Sequence, residues 1–238
     1  MKQSKFYVLK QRFVVVAIGT SDYRDTTGGY NFLTWMQSLQ VKLPDNISLD
    51  DLAGIIEKES GSTFAALGVS KSLSDGTLKN SSFAAPCEVF AQFVIVGYQG
   101  GTIQVQKVEF DIDWNHKSLI GPIRTVLYPD GAESNYRVIW FGAKEAITDY
   151  RNRHSYAHQQ AMALCPKAMA DIDSLTRYPS LHETVALSRA LVQVEENTNP
   201  DTVGGPVRTV RILPTGWAEE DGIAALPKAG TPTKKNRK

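Results

Sequence analysis

The sequence predicts an α+β protein, with strands and helices arriving in blocks instead of in strict βαβ alternation. Three observations carry this. Two β-type runs, Lys5 to Leu9 and Arg12 to Ile18, open the chain, and two amphipathic helical patterns follow them. The clearest strands, Val89 to Tyr98 and Thr102 to Trp114, come next. A long helical stretch and one or two closing strands complete the order.

Phe13 to Ile18 is continuously apolar, the pattern of a strand covered on both faces, and a tight turn at Lys10-Gln11 joins it to the run before. Gly19 opens a polar loop, Thr20 to Gly29. Phe32, Trp35, Met36, Leu39 and Leu43 recur at helical spacing, which predicts a helix from about Tyr30 to Leu43, stopped by Pro44. Ser48 with Asp51 three residues on is a capping-box signature. Leu49, Leu52, Ala53 and Ile56 supply the stripe of a second helix that runs to about Ser60. Residues 66 to 86, rich in Ser and Gly, read as a surface connection.

Gln99-Gly100-Gly101 is a hairpin turn between the two clearest strands. Ile103 and Val105 are out of phase with Val108, Phe110, Ile112 and Trp114, which predicts a β-bulge near Gln106-Lys107. Ile123 to Tyr128, Pro129-Asp130-Gly131 and Tyr136 to Phe141 read as strand, turn and strand. Ala143 to Glu196 is helical in pattern, with a new helix at Pro166 and a last one from about Leu181 to Glu195. That last helix carries apolar residues on nearly all sides and is expected in the interior. Val207 to Leu213 is a final strand, and Gly216-Trp217 leads into a short return.

A chain of 238 residues buries a sizeable core, and 42% hydrophobic with 21% charged residues excludes wholesale disorder. A net charge of +1 provides no global field for nucleic acid or an anionic membrane, so neither partner is expected. No apolar run is long enough for a membrane span and no signal-peptide cleavage pattern is present, so a cytoplasmic location is expected. Residues 1–226 read as a single domain and 227–238 as a flexible basic tail. Cys87 and Cys165 make neither a disulfide framework nor a zinc spacing, and are expected as structural thiols.

Other candidate sites are weak. His154 and His158 have the i, i+4 spacing of helix metal ligands, but no third ligand is evident, and an exposed pair is the better expectation. Glu109, Asp111 and Asp113 alternate on one strand face, expected to be the solvent face opposite Val108, Phe110 and Ile112. The Gly-Gly pairs at 28, 100 and 204 fit no phosphate-binding pattern.

Three stretches resemble the proteasome-type N-terminal nucleophile hydrolases. Lys5-Phe6-Tyr7-Val8-Leu9 running into Val14-Val15-Val16-Ala17-Ile18-Gly19 is similar to that family's lysine-headed strand and the following strand that ends in a glycine. Asp201-Thr202-Val203-Gly204-Gly205-Pro206, entering Val207 to Leu213, is similar to the loop and strand after its long central helix. Trp140-Phe141-Gly142-Ala143 resembles its strand-to-helix passage. The resemblance implies a four-layer αββα sandwich of two stacked antiparallel sheets flanked by helices, with Phe13 to Ile18 and Val89 to Tyr98 in stacked sheets.

It further implies catalysis by the first residue of the mature chain, a Thr, Ser or Cys whose own α-amino group is the base. Lys5 would keep the site positive, Gly19 would supply the oxyanion contact, and Asp201 would orient the amine. No cofactor and no metal are implied. The partners implied are a peptide or amide substrate, for an active chain, and a homo-oligomer. The family's first two strands, which carry the nucleophile, have no counterpart ahead of Lys5, and Ala143 and Gly204 stand where the family has active-site serines. The expectation is therefore a peptidase- or amidohydrolase-type subunit whose N-terminal nucleophile is missing, truncated or inactive. The alternative is a non-catalytic assembly or binding protein that keeps the fold. The plain structural alternatives are a solvated strand-end charge for Lys5 and a turn residue after Pro200 for Asp201.

Overall fold

In the computed structural model, residues 6–20, 22–24, 28–78, 89–127, 152–167, 169–170, 180–198, 210–213 and 216–219 are described. The strands are Phe6–Leu9 (β1), Phe13–Gly19 (β2), Asp22–Arg24 (β3), Gly29–Asn31 (β4), Val89–Gln99 (β5), Thr102–Asp113 (β6), Ser118–Val126 (β7), Val210–Leu213 (β8) and Gly216–Glu219 (β9). The helices are Phe32–Lys42 (α1), Leu49–Ala66 (α2), Val69–Ser74 (α3), Tyr156–Leu164 (α4) and Leu181–Thr198 (α5). The chain divides into two compact units, one of Met1–Ala143 with Val210–Glu219, the other of Lys144–Thr209 with Glu220–Lys238.

Five antiparallel strands of the first unit hydrogen-bond in the order β1-β2-β5-β6-β7. Alternation along them puts Phe13, Val15 and Ala17 of β2 on the same face as Phe93 and Ile95 of β5 and Val108 and Phe110 of β6. All seven are buried in one core with Phe32, Met36 and Leu39 of α1 and Leu52, Ile56 and Phe64 of α2. Each of the larger of these side chains (Val, Leu, Ile, Met and Phe), fully buried, stabilises the fold by roughly 1.5–3 kcal/mol. Phe64 meets Phe90 at 5.1 Å and Phe110 at 4.9 Å, both edge-on, so one α2 ring fixes the helix over two strands. Phe93 likewise stacks on Phe32 and takes the edge of Trp35 at 5.3 Å.

Caps and back-bonds set the helix limits. The Asn31 side chain accepts from the backbone N–H of Thr34, and α1 stops at Leu43, before Pro44. Ser48 accepts from the Asp51 N–H at 3.0 Å, as the capping-box signature predicts. The second helix continues past Ser60 to Ala66, beyond the expected end. Ser60 and Thr63 return their hydroxyls to the carbonyls of Ile56 and Glu59, so neither competes for the ladder, and Phe64 extends the buried stripe Ile56-Ser60-Phe64. Part of the expected surface connection is helix α3, anchored by buried Val69 and Leu73.

The β-bulge expected at Gln106-Lys107 does not form: Gln106 pairs with Ile95 and Lys107 with Val94 in unbroken register. The phase change has another origin. Gln104 and Gln106 point to the helix side, where Gln106 receives an N–H from Arg124 at 2.9 Å and donates to Asp50 at 3.3 Å, while Val105 is buried on the opposite face. Register shifts lie instead between Val89 and Ala91 against β6, and between Glu109 and Asp111 against β7.

Phe13 to Ile18 and Val89 to Tyr98, expected in stacked sheets, are hydrogen-bonded neighbours in one sheet, Phe13 opposite Gly97 and Gly19 opposite Ala91. The expected stacking of these two strands is thereby overturned. A separate antiparallel pair, β8–β9, packs against β5. Since β2 and β6 take both edges of β5, β8 does not extend the large sheet along it.

In the second unit α4 packs on α5. Ser180 and Glu183 form a reciprocal cap at the start of α5, Ser180 N–H donating to Glu183 at 2.7 Å and Glu183 N–H to Ser180 at 3.3 Å. The last helix is one-sided, not apolar all round: Val185, Leu187, Leu191 and Val194 are buried, whereas His182, Ser188 and Asn197 are exposed. Pro166 does open a helical turn, Met169 N–H reaching the Cys165 carbonyl at 3.1 Å. The turn at 129–131 and the strand expected over 136–141 lie outside the described residues.

Two substitutions test the packing. The Phe13 ring lies over Gly97, where a Cβ would sit 2.9 Å from Cε1 of that ring. Gly97→Ala should therefore cost about 1–3 kcal/mol in urea unfolding by overpacking. The buried Tyr30 hydroxyl has no hydrogen-bond partner, and burial pushes its phenol well above the ordinary range. Tyr30→Phe should raise the urea midpoint, by an amount equivalent to about 1 kcal/mol, because it removes an unmet polar group. A lower midpoint would mean that the hydroxyl is satisfied.

Candidate functional site

Gly19 ends β2 beside a distortion of its neighbour. Phe90 is the extra residue of the β5 irregularity; its ring enters the aromatic core while its carbonyl turns to the end of β2. That carbonyl accepts the Thr20 N–H at 2.8 Å. Gly19 has φ +75°, and a Cβ there would lie 2.7 Å from the same oxygen. Local packing thus requires glycine at 19 whatever chemistry takes place nearby.

Next to this pair, on the sheet face opposite the helices, one row across the sheet runs Ile18, Gln92, Glu109, Ile123. Lys107 projects from the same face one step along. Lys107 Nζ lies 2.8 Å from Glu109 Oε1, and the Gln92 amide donates to Glu109 Oε2. The Lys107 and Glu109 side chains keep 20% and 15% of their exposure and Gln92 only 6%, so this is an enclosed polar cluster. Both charges are met by direct partners, as charges withdrawn from water must be.

The solvent face expected for Glu109 is corrected by this burial. Alternation assigned the face rightly, but it did not reveal that the face is covered. The pairing of Lys107 with Glu109 at i, i+2 on one strand face was visible in the sequence; Gln92 opposite them depended on the β5–β6 register. Asp113, farther along, folds back on its own turn. The His116 backbone N–H, then the His116 ring, holds its carboxyl below the ordinary value. Its contribution to stability is present above the unfolded-state value and is lost as pH falls through the lower folded one.

Of the residues that the resemblance singles out, Gly19 is described; Lys5 and Asp201, like Ala143 and Gly204, lie outside the described residues. His154 precedes the N-cap Ser155 of α4 and is exposed, whereas His158 lies inside the helix and is buried. They do not share a helix face, and the exposed pair expected from their spacing is not what forms. No group of three His, Cys, Asp or Glu among the described residues could hold a metal ion. Cys165 is a buried free thiol whose pKa burial raises, which makes it a poor nucleophile at neutral pH; Cys87 lies outside the described residues. No helix among the described residues is long and apolar enough to cross a membrane.

No protein-family model matches the chain, and no curated protein matches it significantly.

Gly19→Ala should destabilise the fold by about 1–2 kcal/mol from the left-handed backbone alone, with the Phe90 contact adding to it. Thermal unfolding would report this; an unchanged midpoint would contradict the close approach. In the polar cluster, Lys107→Met leaves a largely buried carboxylate without its cation and should cost about 2 kcal/mol. The double variant Lys107→Met with Glu109→Gln should recover part of that loss in a double-mutant cycle, and strict additivity would show the pair to be uncoupled.

Proposed function

We propose that this chain is a proteasome-like peptidase- or amidohydrolase-type subunit of the N-terminal nucleophile class. The observation that carries this is the packing of helices and of a second strand pair on the large sheet of the first unit. Helices α1 and α2 bury one face of a five-stranded antiparallel sheet, and a second antiparallel pair packs against its central strand β5. This packing supports a reading as an αββα sandwich in which β8–β9 would belong to the second sheet, in place of the β2–β5 stacking that the pairing overturns.

In such a site the hydroxyl or thiol of the first residue of the mature chain attacks an amide carbonyl, and its α-amino group takes the proton. With a reference pKa near ~8, that amine is partly neutral at pH 7. The tetrahedral oxyanion would be met by the backbone at Gly19, Lys5 would hold the nucleophile's surroundings positive, and Asp201 would orient the amine. Collapse of the intermediate expels the amine product and leaves an acyl-enzyme, which water then hydrolyses. No residue of this sequence is assigned as the nucleophile, so the proposal concerns the frame of the site.

One observation favours a second function, a non-catalytic assembly or binding protein on the same fold. Gly19 is required by the Phe90 carbonyl alone, so its presence needs no catalysis to explain it. Treating the mature natural protein with a β-lactone that acylates N-terminal hydroxyl nucleophiles separates the two. The catalytic proposal expects one acyl adduct by intact mass, mapped to the first residue of the mature chain and lost in Lys5→Ala. A folded protein that takes up no label, or takes it elsewhere, would overturn it in favour of the non-catalytic function.

A further inference from the structure

We draw no further inference here: the strongest candidate, the exposed apolar patch of Ile120 and Ile123 on β7 at the end of the five-stranded sheet, carries nothing because Pro122 interrupts the backbone donors of that strand and nothing in the structure shows what covers it.

Discussion

Phe64 reaches from α2 into the cleft between β5 and β6, where it meets the rings of Phe90 and Phe110 edge-on, with Tyr30 closing the third side at 5.3 Å. This ring is one of the points that fix helix to sheet, and the irregularities at the ends of β5 and β2 follow from it. Phe90 can enter this cluster only because β5 carries an irregularity there, which swings its carbonyl outward to the end of β2. The left-handed Gly19 is the answering distortion in the neighbouring strand. Backbone irregularity at the end of β2 is thus coupled to aromatic packing on the other side of the sheet.

The sheet has two differently built faces. Toward the helices it is apolar around β2 and β5, and at its far end it carries a polar link, Asp50–Arg124–Gln106, that ties the first turn of α2 to β6 and β7. Away from the helices it combines Val14, Val94 and Val105, all buried, with the enclosed Gln92–Lys107–Glu109 cluster. Burial of the apolar face already opposes a one-residue slip, which would turn every side chain to the other face, and a charge pair with a buried amide also opposes a slip of two. The cluster therefore favours the pairing of Gln92 opposite Glu109 over neighbouring registers, through the cost of leaving buried charges unpaired.

Local signals in the sequence carried the elements, and long-range ones did not. The α+β class, the Ser48–Asp51 cap, the stop before Pro44 and the hairpin at Gly100-Gly101 each depend on a few consecutive residues, and each is found. The bulge expected at Gln106-Lys107 does not form, because the change of hydrophobic phase there is not a backbone insertion. It comes instead from two buried glutamines on the helix side, of which Gln106 is held by Asp50 and Arg124, partners distant in the chain. The second helix runs past the expected end at about Ser60, because the Ser60 hydroxyl bonds back to the Ile56 carbonyl and buried Phe64 continues the apolar stripe. Sheet membership was misjudged for the same reason as the bulge: nothing local to Phe13–Ile18 or Val89–Tyr98 says whether they are paired or stacked.

Gly19 shows how far the site itself was legible. A glycine at the foot of an apolar strand suggested an oxyanion contact by resemblance, and the structure supplies a sufficient steric cause that requires no catalysis. The two explanations are compatible, because a steric requirement for glycine does not bar its backbone from meeting a ligand. They differ in what else they require. The steric cause is complete with the Phe90 carbonyl and the Thr20 N–H that donates to it. The catalytic one needs a cation and a nucleophile to converge on the same spot. Of the two, only the steric cause rests entirely on described contacts, so Gly19 is stronger evidence for the fold than for the chemistry.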